Sequence, residues 1–229
     1  MLKKWEDLPA YMKCPQVREY WEILNKKRIK LIFKRIFDFL VSFILVVITA
    51  VPMAVIALLI KRDSPGTAFY RQERVTSYGK HFKIHKFRTM SSDADTKDTA
   101  LTVSDDGRIT KIGRKLRKYR LDELPQLFDI LEGNMSFVGT RPEVIKYVEQ
   151  YKPEYYATLL MPAGVTNETS IIYKNESELL SSSEDVEKTY IEQVLPEKMK
   201  LNLESIRKFG LLRDIGIMFN TVFSVLKRQ

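Results

Sequence analysis

Cysteine is almost missing from this chain. The single Cys14 excludes an intrachain disulfide framework and a cysteine cluster for zinc. Histidine is nearly as scarce: His81 and His85 are the only two, too few for a histidine-rich metal centre, and neither has a second ligand at helical spacing. Both read as strand residues. Acidic side chains are also in deficit, 29 against 38 Lys and Arg, leaving a formal charge of +9. That surplus favours phosphates, nucleic acid or an anionic membrane surface, without choosing among them. Apolar residues are plentiful at 45%, with 12 Phe and 11 Tyr, which excludes wholesale disorder. A length of 229 residues suits one compact domain with appended helices better than two large domains, and no internal repeat is visible.

Charge is absent altogether from Phe39 to Ile60, 22 residues and therefore of membrane length. The run lies far from Met1 and is not followed by a small-residue cleavage site, so a removed secretory signal fits poorly and retention in the membrane is expected. Lys26, Lys27, Arg28, Lys30, Lys34 and Arg35 precede the run, and Lys61, Arg62, Arg71 and Arg74 follow it. Two basic flanks place both ends on the cytoplasmic side, which a helix achieves by entering, bending and returning. Pro52 supplies the bend, with Ser42 and Thr49 available to satisfy backbone groups that proline frees. A kinked helix that spans the bilayer is the alternative, and Asp38 sits at the interface in either case.

Residues 1–30 read as a preface in which Trp5, Tyr11, Tyr20 and Trp21 either meet a membrane interface or cap the core, 31–62 as the membrane hairpin, and 63–229 as a cytosolic region. Segments 68–75 and 80–87 read as strands of a β-hairpin around Ser77-Tyr78-Gly79. Residues 91–107 form an exposed loop rich in Ser, Asp, Thr and Lys, and helical patterns follow at 113–120, 122–132, 143–151, 184–206 and 211–228. Gly133 and Gly210 act as stops, and the cluster at 181–185 reads as a helix start. The last helix is amphipathic, with Leu211, Leu212, Ile215, Phe219, Val222, Phe223 and Leu226 facing core or lipid.

Chemistry concentrates in three segments. In Arg117-Lys118-Tyr119-Arg120-Leu121-Asp122-Glu123-Leu124-Pro125-Gln126-Leu127-Phe128, two adjacent carboxylates sit amid cations at a helix start. Such carboxylates either satisfy free amides and the helix dipole or act on a phosphate, with one of them kept ionised as a nucleophile. Lys83-Ile84-His85-Lys86-Phe87-Arg88-Thr89-Met90 is either a solvated strand face or a second basic cluster for a ligand. Gly133-Asn134-Met135-Ser136-Phe137-Val138-Gly139-Thr140-Arg141-Pro142-Glu143 holds Arg141 between a tight turn and a proline, poised to clamp a phosphate or to pair with Asp122 or Glu123.

Together with Lys34-Arg35-Ile36-Phe37-Asp38-Phe39 ahead of the broken apolar helix, these motifs resemble, in the same order, the bacterial sugar transferase family of monotopic polyprenyl-phosphate phosphoglycosyl transferases. The resemblance covers residues 30–165 well and the last helix weakly. It implies an α+β, mostly helical monotopic membrane protein with a re-entrant membrane helix, a small β-hairpin and interfacial amphipathic helices. The implied reaction moves a sugar 1-phosphate from a UDP-sugar to undecaprenyl phosphate at the cytoplasmic leaflet of the bacterial inner membrane, releasing UMP and starting a surface glycan. By the family pattern Asp122 is the nucleophile, and Glu123 holds Mg2+ or activates the lipid phosphate, with Asp122 beside it at the metal. Arg117 is the first phosphate-binding choice, followed by Arg141, Arg88 and Lys86.

Departures from the pattern are Thr140 in place of a common proline, Val51-Pro52 in place of Ser-Pro, and Pro162-Ala163-Gly164-Val165-Thr166-Asn167 in place of Arg-Pro-Gly-Ile-Thr-Gly. These leave the sugar open, and oligomeric state is not legible. A membrane-tethered nucleic-acid binder lacks any recognition signature here. A non-catalytic scaffold, with Asp122 and Glu123 as mere caps, is the other rival.

Overall fold

The computed structural model describes residues 2–91, 107–173, 176–181, 183 and 185–227. Most of the expected loop at 91–107 lies outside the described residues, as do Ser182 and Glu184 of the expected helix start. Asp185 does cap the short helix α8 (Val186–Thr189), accepting the amide of Lys188.

Two 3-10 turns lead into α1 (Pro15–Lys26), which has proline in its first turn. The sequence reading gave this preface no helix. Leu8, Met12, Val17, Tyr20 and Leu24 are buried there against Tyr155, Leu160, Tyr190, Leu195, Met199 and Phe209, forming the largest core cluster. Trp5 and Trp21 pack edge-to-face on that cluster with Arg18 over both rings, so the aromatic residues cap the core.

α2 (Arg28–Asp63) is one unbroken helix with Pro52 inside it, long and apolar enough to cross a membrane. One face carries the buried residues Lys34, Asp38, Ser42, Met53 and Ile60, while Phe43, Ile44, Val47, Ile48, Val51 and Leu58 stand exposed, Val51 by 73%. Neither helper expected at the proline reaches the carbonyl of Ile48 that it orphans: Thr49 donates to Leu45 O at 2.6 Å and Ser42 to Phe39 O at 3.0 Å.

β1 (Phe69–Val75) and β2 (His81–Phe87) pair antiparallel, Phe69 opposite Phe87 and Val75 opposite His81. Tyr78 and Gly79 take positive φ in the intervening turn. After α3 (Lys111–Lys118) and α4 (Gln126–Glu132), β3 (Met135–Val138) pairs in parallel with β4 (Ala163–Thr166) across α5 (Ile145–Val148) and a 3-10 segment at Pro153–Leu160. The expected helix at 184–206 is broken up. A π turn at Tyr190–Val194 joins α8 to α9 (Leu195–Arg207), because Pro196 has no amide to offer the carbonyl four residues back. Two short helices, α6 (Glu168–Ile172) and α7 (Glu176–Ser181), fill the stretch after β4, and α10 (Leu211–Leu226) ends the described chain.

The inner face of α2 serves two cores in succession. Phe37, Val41 and Leu45 pack against Ile84, Leu127, Ile130, Phe137 and Ile217, and further along Met53 and Ile60 meet Phe87 and Leu116. Both ends of α2 are tied to the same body. At the start Lys34 donates to Asp214 at 2.7 Å, and Arg35 donates to Ile130 O and Leu131 O; at the end Asp63 accepts the amide of Ile112 at 3.1 Å.

Candidate active site

α3 ends at Lys118, and the chain then reverses through Arg120, a non-glycine residue at φ 53°. The reversal turns Leu121–Glu123, a single 3-10 turn, toward the body, leaving Asp122 only 3% and Glu123 9% exposed. α4 begins later than the expected 122–132, at Gln126 with Pro125 as its N-cap. Neither carboxylate makes a capping hydrogen bond, so the helix-cap alternative is not what these side chains do.

Buried carboxylates need cations, and three elements supply them. From β2, where alternation continues the row Phe82, Ile84, Lys86, Lys86 Nζ lies 2.9 Å from Asp122 Oδ2 and 3.5 Å from Glu123 Oε1. From the loop after β3, Arg141 Nη2 donates to Glu123 Oε1 at 2.6 Å. Arg120 Nη1 stands 3.7 Å from the other oxygen, Oε2. Burial pushes the Glu123 carboxyl up, but Arg141, Lys86 and Arg120 outweigh it and hold the group well below the usual carboxylate range. Glu123 in turn raises Arg141, whose charge is secure.

Arg141 is aimed by an unusually close backbone crossing. Gly139 N donates to Thr166 O at 3.1 Å and Gly164 N to Thr140 O at 2.8 Å, and a Cβ on Gly164 would lie 2.1 Å from Gly139 N. Only glycine fits there. Behind the arginine, Glu143 is buried and accepts from Tyr190 Oη at 2.7 Å, while Lys198 lies 3.7 Å from it and also bonds Glu176. The sequence offered no signal for this network beyond the proximity of Glu143 to Arg141.

Of the six expected site residues, Asp122, Glu123, Lys86 and Arg141 come together. Arg117 is half-buried on α3 and forms no ion pair with either carboxylate. Arg88 lies elsewhere: its guanidinium donates to Pro65 O at 2.6 Å and to Ser64 O at 2.7 Å, fastening the end of α2 to the end of β2. Missed by the sequence reading is Gln126, one turn beyond Glu123. It is 1% exposed, and neither amide atom has a partner among the described residues. An orphaned buried amide calls for water or ligand.

These groups suit a hard divalent cation: two carboxylates, and an amide able to hold an ordered water. A second cluster, His85, Asp129 and Glu132, also brings ligand atoms within 4.8 Å of one another. There Asp129 is already spent, accepting the His85 amide and Nδ1, each at 2.8 Å, while Arg71 donates to Nε2. That fixes the Nδ1–H tautomer and makes the cluster a strut between β2 and α4, with His85 a strand residue as expected.

The model of the family described as bacterial sugar transferase matches residues 29–228. The chain belongs to that family. A UDP-glucose:undecaprenyl-phosphate glucose-1-phosphate transferase of Caulobacter vibrioides is 34% identical over 196 residues, covering 84% of this chain and 69% of that protein. A UDP-N-acetylgalactosamine-undecaprenyl-phosphate N-acetylgalactosaminephosphotransferase of Aeromonas hydrophila is 31% identical, over 84% of this chain but 43% of its own length. An exopolysaccharide production protein of Rhizobium leguminosarum is 34% identical over 86% of this chain and 97% of its own. The chain thus spans less than half of one of these relatives and nearly all of another.

Proposed function

We propose that this bacterial sugar transferase is a phosphoglycosyl transferase that moves a sugar 1-phosphate from a UDP-sugar to undecaprenyl phosphate and releases UMP, as the first membrane step of a surface glycan. The observation that carries the reading is Asp122: a carboxylate 3% exposed, with Lys86 at 2.9 Å and the clamped Glu123–Arg141 pair beside it. An oxygen of Asp122 attacks the sugar-linked phosphorus of the donor. The bond from that phosphorus to the bridging oxygen breaks, and UMP leaves with the bridging oxygen. A phosphate oxygen of the lipid then attacks the same phosphorus, breaks its bond to Asp122 and forms the lipid diphosphate sugar. Burial and Lys86 orient the carboxylate, and Lys86 and Arg141 neutralise the phosphoryl oxygens as charge moves onto UMP. Glu123, with Asp122 beside it, would hold Mg2+, which supplies charge neutralisation on the diphosphate when bound. Arg117, on the helix ahead of the dyad, is the family pattern's first choice for phosphate binding.

The membrane arrangement belongs to the same reading. Both ends of α2 hold one body, through Lys34 and Arg35 at the start and Asp63 at the end, while the middle exposes an apolar face. Two anchored ends favour the re-entrant reading, in which α2, continuous through Pro52, bends there and keeps both flanks on the cytoplasmic face.

The test is UMP release from a panel of UDP-sugars with undecaprenyl phosphate and Mg2+, comparing the protein with Asp122→Asn. Lipid-dependent release that falls by about a thousandfold or more in the variant is expected, since the nucleophile itself is lost. Undiminished release by a folded variant removes Asp122 from that role.

A further inference from the structure

The two oxygens of Glu123 look in different directions. Oε1 meets Arg141 and Lys86, whereas among the described residues Oε2 meets only Arg120, at 3.7 Å and beyond hydrogen-bond range. On the Arg120 side lies a small notch walled by Thr166 of β4, Ser170 of α6, and Thr221, Ser224 and Val225 of α10. Its lining combines the Arg120 guanidinium and four hydroxyls with the apolar Ile171 and Val225. Thr166 and Thr221 bond each other at 2.7 Å, leaving Arg120, Ser170 and Ser224 as the groups for a phosphate monoester. The helix forming one wall, α10, exposes Phe219, Val222, Phe223 and Leu226, each more than half accessible. The walls around Arg141 are the β3–β4 crossing, where it donates to Val165 O, and the loop to Glu143.

Arg120 also sits at a backbone cost. At φ 53° a side chain is strained by about 1 kcal/mol or more where glycine would not be. The position keeps a long cation although glycine would fold better.

We propose that the notch is the headgroup subsite for the membrane-borne acceptor, with Arg120 as its cation. This rests on the transferase reading above. The tail lies along the apolar face of α10, and the phosphate reaches the phosphorus on Asp122 past Glu123 Oε2. The acceptor phosphate then takes the face of the phosphorus that UMP has left, opposite the bond to Asp122, as in-line displacement requires.

A two-step reaction lets the halves be read apart, and Arg120→Gly is the informative variant because it removes the cation while relieving the backbone. In detergent or nanodiscs, its KM for undecaprenyl phosphate should rise by about tenfold or more. Ser224→Leu, which narrows the notch without touching the dyad or its cations, should move the lipid KM in the same direction while the single-turnover burst of UMP without lipid falls by no more than about threefold. An unchanged lipid KM, or a burst that falls as far as turnover, overturns the proposal. So does weaker inhibition by inorganic phosphate with lipid binding untouched, which marks a general anion site. If the parent protein gives no lipid-independent burst, the covalent two-step reading fails instead. Equilibrium binding of undecaprenyl phosphate in nanodiscs to the parent and Arg120→Gly then decides the notch alone, weaker binding by the variant upholding it and equal binding overturning it.

Discussion

Two ionic clusters in this molecule are built from the same parts and do opposite things. In one, Lys34 lies 2.7 Å from Asp214 and 3.9 Å from Asp38, with all three side chains less than a tenth exposed. In the other, Asp122 and Glu123 are as deeply buried, but Lys86, Arg120 and Arg141 keep a quarter to a third of their side chains in solvent. The first buries its cation as deeply as its anions and joins α2 to α10. The second hides its anions and leaves its cations reachable, as a site for phosphate must. Burial of a carboxylate therefore says little by itself; what separates the fastening from the proposed reaction centre is which partner solvent can still reach.

The largest effect that sharpens this contrast is on stability. Lys34→Met should cost about 3–5 kcal/mol, because removing one partner of a buried pair strands the other. Denaturant unfolding in micelles measures it, and UMP release per folded molecule should stay close to the parent's. Adding Asp214→Leu should recover part of the loss, not all of it, since Asp38 still lacks its cation. An equal loss of specific activity in the single variant would collapse the distinction between the clusters. At the open cluster the order reverses. Lys86→Met should lower kcat by about a hundredfold, the size of losing one preorganised charge donor, with a smaller shift in the unfolding midpoint because the lysine is partly solvated. Steady-state kinetics beside thermal unfolding would show which loss is greater.

The sequence made one of these clusters legible and not the other. Asp122, Glu123, Lys86 and Arg141 lie in short motifs whose local pattern betrays charge in apolar company, and the long apolar run and the β-hairpin follow from local periodicity. Lys34 and Asp214 are 180 residues apart, and nothing near either one names its partner. The same non-locality hid the parallel pairing of β3 with β4, which depends on Gly139 and Gly164 approaching face to face, and the burial of residues 2–24 against the 3-10 segment before β4 and the helices after it. Arg88 shows the converse. Its motif singled it out for phosphate, yet a guanidinium two residues beyond Lys86 is drawn to the bare carbonyls of Ser64 and Pro65 where α2 ends. Arg120 counts in the sequence only as one of the cations around the dyad, because its positive φ is set by the turn between two helices, which no residue type there announces.

The smallest effect follows from Glu123 and is read against pH. Its carboxyl is held below its ordinary value of 4.5 because Arg141, Lys86 and Arg120 together outweigh burial. A group whose pKa is depressed on folding lends stability that is complete above its unfolded value and drains away as the pH falls through the folded one. Glu123→Gln should therefore lower the thermal midpoint most at pH above 4.5, and the gap between variant and parent should narrow steadily as the solution is acidified below that point. Lys34, sealed away with its partners, offers the comparison: the Lys34→Met deficit should track the titration of Asp38 and Asp214 and not that of Glu123. A Glu123→Gln deficit that stays constant from neutral pH to well below 4.5 would mean that the three cations do not hold this carboxylate, and the open cluster would lose the feature that separates it from an ordinary buried acid.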